Sequence, residues 1–242
     1  MNISTLLNLS LSLVGLRLQR TKRLPLQNLL NSKTLKNGVD DLILRSDYDI
    51  DTVVDVGVAG GTAWLYKQFP GLNLILIDPL YVDASLESLL KGINYEMHEC
   101  ALGSKSEKLS INFDKTRPSL SSFKKRTELT TRNSHFLEKL EVDVKKLDAV
   151  ISESRFNPRK IGLKIDTEGF ELEVLKGSIE TLKKCKFVIC EASIEKRFQD
   201  SYSFSELILF MHKRDFKLKE ILRFVGDDRG VVRMADVLFE PY

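Results

Sequence analysis

Acidic residues stand in or directly after several apolar runs, at points where a predicted strand gives way to a turn. Asp55 precedes a glycine-rich turn at residues 57–62, and Asp78 ends the next apolar run. Asp166 and Glu191 end two later runs of the same kind. Because the carboxyl ends of parallel strands open at one edge of a sheet, we expect these side chains to surround one ligand site.

The glycine-rich turn after the first run predicts a wall for a nucleoside cofactor. Glycine lets backbone approach a ligand closely, so we expect Gly57, Ala59, Gly60 and Gly61 to form this wall. Asp78 follows Gly57 by 21 residues, near the spacing of about 20 at which a carboxylate binds a ribose. A glycine turn with a purely structural role in a Rossmann-like strand is the alternative.

The form of the turn favours a nucleoside without a pyrophosphate. The glycines do not spell G-x-G-x-x-G, and an acid stands two residues before Gly57. S-adenosylmethionine fits this pattern. Asp55 would lie near its ammonium group, and Asp78 would accept hydrogen bonds from both ribose hydroxyls.

A second segment, residues 161–177, predicts a buried strand, a charged turn and a helix. It resembles the K-I-D-x-E-G-x-E-x-x-x-L-x-G signature of FkbM-type methyltransferases. The matching residues are Lys164, Asp166, Glu168, Gly169, Glu171, Leu175 and Gly177. Other features of that family occur in the same order, at Asp55 to Gly57, Asp78-Pro79, Ala101-Leu102-Gly103, Leu147-Asp148 and Cys190-Glu191.

The resemblance covers roughly residues 50–215 and has one departure. The family more often has Ala-Asn-x-Gly where this chain has Val58-Ala59-Gly60-Gly61, which removes one side-chain contact to the cofactor. The resemblance implies an S-adenosylmethionine-dependent methyltransferase that methylates a hydroxyl of a carbohydrate-like or other small-molecule acceptor. The cofactor-binding residues would be Asp55, Gly57, Ala59, Gly60, Gly61, Asp78, Pro79 and Ala101.

Catalysis of transfer to a hydroxyl calls for a general base, since a hydroxyl is a weak nucleophile. Asp166, Glu168 and Glu191 all occur where strands should open toward the cofactor. Lys164 lies two residues before Asp166, on the same face of an extended strand, and is expected to pair with an acid. Asp166 is the preferred base. A structural ion pair between Glu168 and Lys164 is an equal alternative to a catalytic role for them.

The elements that must position these residues alternate between strand and helix. The predicted strands are 52–58, 73–78, 93–100, 108–113, 161–166, 186–191, 216–224 and 234–239, and the predicted helices are 62–69, 83–91, 170–183 and 203–213. This order predicts an α/β, class I methyltransferase Rossmann-like fold. Its mostly parallel seven-stranded sheet would carry helices on both faces and a C-terminal antiparallel hairpin.

The polar segment 115–140 resists assignment, and we expect it to form a cap over the acceptor. Its cations from Arg117 to Arg126 would bind a phosphorylated or carboxylated acceptor, or simply keep the surface hydrated. Residues 1–45 predict a helical extension that packs on the methyltransferase domain, residues 46–242, or on a second copy of the chain. A homo-oligomer and a membrane-surface role for this helix therefore stay open.

Composition limits the partners, cellular locations and cofactors that this chain is expected to have. The net charge of +3 in 242 residues gives no support for nucleic acid as a partner. No apolar stretch approaches the ~20 residues of a membrane span. The three cysteines show no paired spacing, which favours the reducing environment of the cytoplasm. No histidine stands at metal-ligand spacing with the acids, so no metal is predicted. An RNA or protein methyltransferase and a non-catalytic nucleoside-binding module remain the alternative functions.

Overall fold

The computed structural model describes residue 44 and residues 47–80, 84–128, 137–227 and 230–242. These residues all belong to one compact unit of the chain. The predicted N-terminal helical extension lies outside the described residues, except for Leu44, whose side chain is buried.

Ten strands are described, and they are numbered in chain order. They are β1 (Thr52–Val56), β2 (Asn73–Ile77), β3 (Tyr95–His98), β4 (Ala101–Leu102), β5 (Glu107–Asp114), β6 (Leu137–Lys145), β7 (Ile161–Ile165), β8 (Cys185–Ser193), β9 (Phe216–Gly226) and β10 (Val232–Pro241). The described helices are α1 (Ala63–Gln68), α2 (Ala84–Leu89), α3 (Leu147–Glu153), α4 (Glu171–Lys176), α5 (Ile179–Leu182) and α6 (Phe204–His212).

Seven of these strands form the main sheet, in the order β3-β2-β1-β7-β8-β10-β9. The first five are parallel, with β1 paired to β2 on one side and to β7 on the other. β10 is antiparallel to both β8 and β9. The predicted seven-stranded, mostly parallel sheet with an antiparallel C-terminal hairpin is therefore confirmed.

Helices cover both faces of the sheet because neighbouring side chains of each strand point to opposite sides. Val54 belongs to a buried cluster with residues of α3, α4, α5 and α6, whereas Val53 belongs to a second cluster with residues of α1 and α2. All five residues of β1 are buried, as expected for a central strand of a parallel sheet. The sheet edge at the carboxyl ends of β1, β2, β7 and β8 is thus held by packing on both sides.

Three further strands form a second sheet, in the order β4-β6-β5. Neither β6 nor α3 was predicted from the sequence. The signal for β6 was present, since Leu140, Val142 and Val144 alternate with charged residues as strand residues do. The predicted strand 93–100 ends at His98, and Ala101–Leu102 joins the smaller sheet instead.

The predicted helix 170–183 is divided into α4 and α5 at Gly177. An added Cβ at Gly177 would lie 2.0 Å from the carbonyl oxygen of Gly103, so only glycine permits this close approach. α6 begins as its sequence indicates. Ser203 accepts a hydrogen bond from the backbone N–H of Glu206, and the Glu206 carboxylate accepts from that of Ser203, which is a capping box.

Candidate active site

A cavity of about 520 Å³ opens at the carboxyl edge of the main sheet, within the usual size of a small-molecule site. Its walls come from the turn after β1, the ends of β2, β7 and β8, residues 100–102 and 118–123, and the β9–β10 hairpin. Eleven of the twelve residues assigned to the site from the sequence line this cavity, and Asp55 is the exception.

The turn after β1 is joined to its neighbouring strands by backbone hydrogen bonds. The Gly57 amide donates to the Ile77 carbonyl oxygen, and the Asp166 amide donates to that of Val56, each at 2.9 Å. Gly57 has a φ of +77°, and an added Cβ there would lie 1.8 Å from the Asp166 carbonyl oxygen. Glycine is therefore required at position 57 by the fold itself, independently of any ligand.

Asp55 lies beneath this turn rather than on the cavity wall. Its side chain is fully buried, and Oδ2 accepts hydrogen bonds from the Thr62 hydroxyl at 2.7 Å and from the Tyr66 hydroxyl at 2.5 Å. Oδ1 lies 3.2 Å from Nζ of Lys164. All of these partners are protein groups, so the geometry makes Asp55 a support for the turn and for Lys164.

Asp78 connects the turn after β1 to the turn after β2. One carboxylate oxygen accepts from the Ala59 amide at 3.0 Å, and the other accepts from the Leu80 amide at 2.9 Å. Burial raises the pKa of Asp78, while these two hydrogen bonds oppose that shift. Each oxygen accepts one of these backbone hydrogen bonds and retains capacity for a further donor on the cavity side.

Ala59 has a φ of +45°, in the left-handed region that alanine rarely occupies. Asparagine tolerates this conformation better than alanine does, which is a physical reason for asparagine, the residue that the resembling family more often has at this position. The hydrogen bond from the Ala59 amide to Asp78 helps to hold Ala59 in this strained conformation.

Replacing Ala59 with glycine should therefore stabilise the protein. We expect Ala59→Gly to raise the free energy of unfolding by about 0.5–1 kcal/mol, since glycine adopts positive φ without steric strain. Ala149→Gly in α3 is the matched control and should lower it by about 1 kcal/mol. Urea denaturation measures both, and equal losses in the two variants would contradict the left-handed turn.

Lys164 lies between two acids on the floor of the cavity. Its Nζ is 3.2 Å from Oδ1 of Asp55 and 3.4 Å from Oδ2 of Asp166. Burial opposes the charge of Lys164, but the two carboxylates outweigh it and hold its pKa above the usual value. Lys164 is therefore an ammonium that fixes Asp166, as the spacing in the sequence predicted for this pair.

Glu168 and Glu191 are both bound by Arg197. Arg197 donates to Oε2 of Glu168 at 2.9 Å and to Oε1 of Glu191 at 2.8 Å, and all three residues are buried. Arg126 donates to the same Glu168 oxygen at 3.2 Å. The alternative ion pair between Glu168 and Lys164 does not form, because Glu168 pairs with arginines instead.

Asp166 differs from these two glutamates in its access to solvent. Its side chain is 32% exposed, while those of Glu168 and Glu191 are only 9% and 8% exposed. Its described charge partner is Lys164. Of these three carboxylates, Asp166 is therefore the one that an incoming molecule reaches most readily.

The C-terminal hairpin adds two site residues that the sequence analysis missed. Nε of Arg223, on β9, lies 2.6 Å from Oδ2 of Asp236, on β10. Asp236 pairs across the strands with Glu191, and all three line the cavity. An acid inside the apolar run from Met234 to Phe239 was the available signal for Asp236.

The signature acid Glu171 shapes the turn and is fully buried. Its Oε1 accepts from the backbone amides of Thr167 and Gly169, each at 3.0 Å, and its Oε2 accepts from the Tyr202 hydroxyl at 2.7 Å. Glu168, inside this turn, has a φ of +50°. Glu171 thus holds the strained turn that presents Asp166 and Glu168.

The segment expected to cap the acceptor lies partly within the described residues. Residues 118–123 line the cavity, and the Ser122 hydroxyl donates to the Glu168 carbonyl oxygen at 2.6 Å. Two of its arginines have acidic partners, since Arg126 pairs with Glu168 and Arg117 lies 3.8 Å from Asp114. Residues 129–136 lie outside the described part.

Two further features are absent from the described ranges. No three His, Cys, Asp or Glu side chains come together there as a metal-binding group. No described helix is both long enough and apolar enough to cross a membrane.

Solved structures similar to this chain include several that bind S-adenosylmethionine or its product. The LepI complex with S-adenosylmethionine is 11% identical, with a TM-score of 0.42, and the match covers 99% of this chain and 53% of that one. A 1,6-didemethyltoxoflavin-N1-methyltransferase from Burkholderia thailandensis, with S-adenosylhomocysteine bound, is 8% identical, with a TM-score of 0.41 and coverages of 78% and 70%.

An S-adenosylmethionine-dependent methyltransferase from Methanosarcina mazei is 9% identical, with a TM-score of 0.40 and coverages of 81% and 94%. The chain spans about half the length of the LaPhzM and LepI chains, at 52% and 53%. No curated protein sequence matches this chain significantly.

The sequence profile of the Methyltransferase FkbM domain matches residues 55–218. This range includes the turn after β1, the Asp78 turn and the whole signature turn, which together build one wall and the floor of the cavity. The match covers well over half of the 242 residues. The chain therefore belongs to the FkbM methyltransferase domain family, whose cofactor is S-adenosylmethionine.

Proposed function

We propose that this protein transfers the methyl group of S-adenosylmethionine to a hydroxyl oxygen of a small, carbohydrate-like acceptor. One observation carries the proposal. A single cavity combines an acid that suits a ribose, Asp78, with an accessible acid held by a lysine, Asp166. The two acids end different strands of the same sheet edge, β2 and β7, which lie on either side of β1.

The residues on one side of the cavity suit a nucleoside. Asp78 would accept hydrogen bonds from the two ribose hydroxyls while it keeps its two backbone donors. Pro79, Ala101 and Leu102 supply apolar wall, which suits an adenine ring. The exposed Gly60 offers backbone without a side chain in the way.

Asp55 and Lys164 act beneath this wall as positioning residues. Asp55 binds Thr62 and Tyr66, which lie before and within α1, and thereby fixes the helix that follows the turn. Through Lys164 the same carboxylate is connected to Asp166. The protein thus aligns the cofactor side and the acceptor side through one chain of ion pairs, from the buried Asp55 to the accessible Asp166.

Asp166 is the general base in this proposal. Bound S-adenosylmethionine supplies an electrophilic methyl group. As the acceptor oxygen forms its bond to the methyl carbon, the carbon–sulfur bond breaks and the hydroxyl proton passes to the Asp166 carboxylate. Lys164 holds that carboxylate in place, and exclusion of water with alignment of the two reactants supplies the rest of the rate enhancement.

Cofactor binding tests the first half of the proposal. We expect Asp78→Ala to lose roughly 1.5–3 kcal/mol of S-adenosylmethionine binding, because it removes a charged acceptor. This corresponds to a dissociation constant about 10- to 150-fold higher, which isothermal titration calorimetry measures. Wild-type affinity in this variant would refute the assignment of Asp78 to the ribose.

Asp51→Ala is the matched control for loss of backbone hydrogen bonds. Asp51 also accepts from two backbone amides, those of Arg159 and Lys160, but it lies outside the cavity lining. We expect this variant to bind S-adenosylmethionine as the wild type does. Mass spectrometry of cell extracts incubated with methyl-labelled S-adenosylmethionine would then identify the acceptor and the methylated atom.

A further inference from the structure

The acceptor side of the cavity carries acids and bases in alternation. The series runs from Glu168 through Arg197, Glu191 and Arg223 to Asp236, across the signature turn, β8 and both strands of the hairpin. The nitrogen–oxygen distances along it are 2.9, 2.8, 3.9 and 2.6 Å. Each base therefore lies between two carboxylates.

Acids outnumber bases on the cavity wall. Among the described lining residues, three are bases and five are acids, namely Lys164, Arg197 and Arg223 against Asp78, Asp166, Glu168, Glu191 and Asp236. Every one of the three bases lies within 4.0 Å of a carboxylate oxygen. The positive charge on the wall is thus already compensated by the protein.

This distribution disfavours an anionic acceptor. A phosphate or carboxylate that enters a partly buried site needs a cation to offset its desolvation. Here it would meet carboxylates on both sides of each guanidinium. The cap cations do not change this balance, since Arg126 and Arg117 also pair with acids and neither Lys124 nor Lys125 lines the cavity.

A hydroxyl group suits the same wall. It donates one hydrogen bond and accepts others, so it can bind between a carboxylate and a guanidinium. The hairpin also supplies two apolar side chains to the cavity, Val225 and Met234. Alternating polar groups beside apolar wall match the hydroxyls and C–H groups of a ring that carries several hydroxyls.

We propose that the acceptor is an uncharged polyol, and that Glu191, Arg223 and Asp236 recognise a hydroxyl adjacent to the one that is methylated at Asp166. The same wall disfavours anionic acceptors such as sugar phosphates and uronic acids. The inference rests on the proposed function and adds to it a charge class and three specificity-determining residues.

Fractionation of a labelled extract tests the charge class without knowledge of the acceptor. A small-molecule extract is incubated with the protein and methyl-labelled S-adenosylmethionine. Cation exchange first removes the unreacted, positively charged S-adenosylmethionine, and anion exchange then separates the labelled products. We expect the label in the neutral flow-through. We also expect that oxidation of the extract with periodate abolishes labelling, when the excess periodate is destroyed before S-adenosylmethionine is added. Periodate cleaves the carbon–carbon bond between adjacent hydroxyl groups.

The outcomes separate this inference from the proposed function. Label retained on the anion exchanger, or labelling that survives periodate, would overturn the polyol inference and leave methyl transfer intact. If calorimetry shows no binding of S-adenosylmethionine, or no fraction takes up label, the proposed function fails as well.

Asp236→Asn tests the recognition residues, with the neutral extract fraction as the probe. Asparagine retains a hydrogen bond to Arg223 but loses the charge. We therefore expect labelling to fall about tenfold when the neutral extract fraction is present in limiting amount. When this fraction is present in saturating amount, labelling should return to within a few-fold of wild type. The affinity for S-adenosylmethionine should not change. Asp143→Asn, on the exposed face of β6, is the control and should label as wild type. Equal losses at limiting and saturating fraction would show that Asp236 does not recognise the acceptor.

Discussion

The Arg197→Met variant should lose about 3–5 kcal/mol of folding stability, because it leaves two buried carboxylates without their shared partner. Arg197 is 6% exposed and bridges Glu168 and Glu191. Methionine fills a similar volume but offers no hydrogen-bond donor. Urea denaturation, monitored by circular dichroism, measures the difference from wild type.

Arg155→Met is the control for this variant. Arg155 also pairs with a glutamate, Glu96, but its side chain is 63% exposed. An exposed pair contributes at most about 1 kcal/mol, so this variant should lose far less than Arg197→Met. Similar losses in the two variants would show that the buried arginine does not hold the acceptor side together.

The loss in Arg197→Met should grow with pH. Burial, followed by the neighbouring Asp166 and Glu168, holds the pKa of Glu191 well above its usual range. Burial also raises the pKa of Glu168, against the opposing effect of Arg197 and Arg126. A carboxyl with a raised pKa in the folded state binds more protons there than when unfolded, so stability falls as pH rises above about 4.5. Removing Arg197 raises both pKa values further and steepens that fall.

The sequence was sufficient to predict most of the residues that line one wall and the floor of the cavity. The acid before Gly57, the acid 21 residues later and the signature from Lys164 to Gly177 are all local patterns. Local patterns also predicted a mostly parallel sheet, since strands that alternate with helices imply one. The lysine–aspartate pair at positions 164 and 166 followed from the two-residue period of a strand.

The acceptor side depends on contacts that no local pattern encodes. Arg197 reaches Glu168 across 29 residues, and Arg126 reaches the same carboxylate across 42. Arg223 and Asp236 meet only because β9 and β10 pair as a hairpin. Asp55 was placed near the ligand from its position before the turn, but complete burial shows how α1 and Lys164 enclose it.

Asp166→Asn should retain cofactor affinity within a few-fold and lose most of its turnover. Asparagine has nearly the same shape and still accepts a hydrogen bond from Lys164, but it does not take up a proton. A positioned base contributes about 10²–10⁴ in rate. Single-turnover methylation of the labelled acceptor fraction measures this loss, and calorimetry with S-adenosylmethionine measures the retained affinity.

The outcomes for Asp166 distinguish three roles. Full turnover in Asp166→Asn would move the base to another residue, with Glu191 the next candidate on the cavity wall. Loss of cofactor binding would instead make Asp166 a cofactor-binding residue. Glu153→Gln, at the exposed end of α3, should leave both turnover and affinity unchanged.

A crystal structure of the protein with S-adenosylhomocysteine tests the central claim most directly. The account predicts that the ligand occupies the cavity at the carboxyl edge of the sheet, with both ribose hydroxyls bound to the Asp78 carboxylate and the sulfur on the side of Asp166. A ribose held by any other side chain, or a ligand bound outside this cavity, would contradict it.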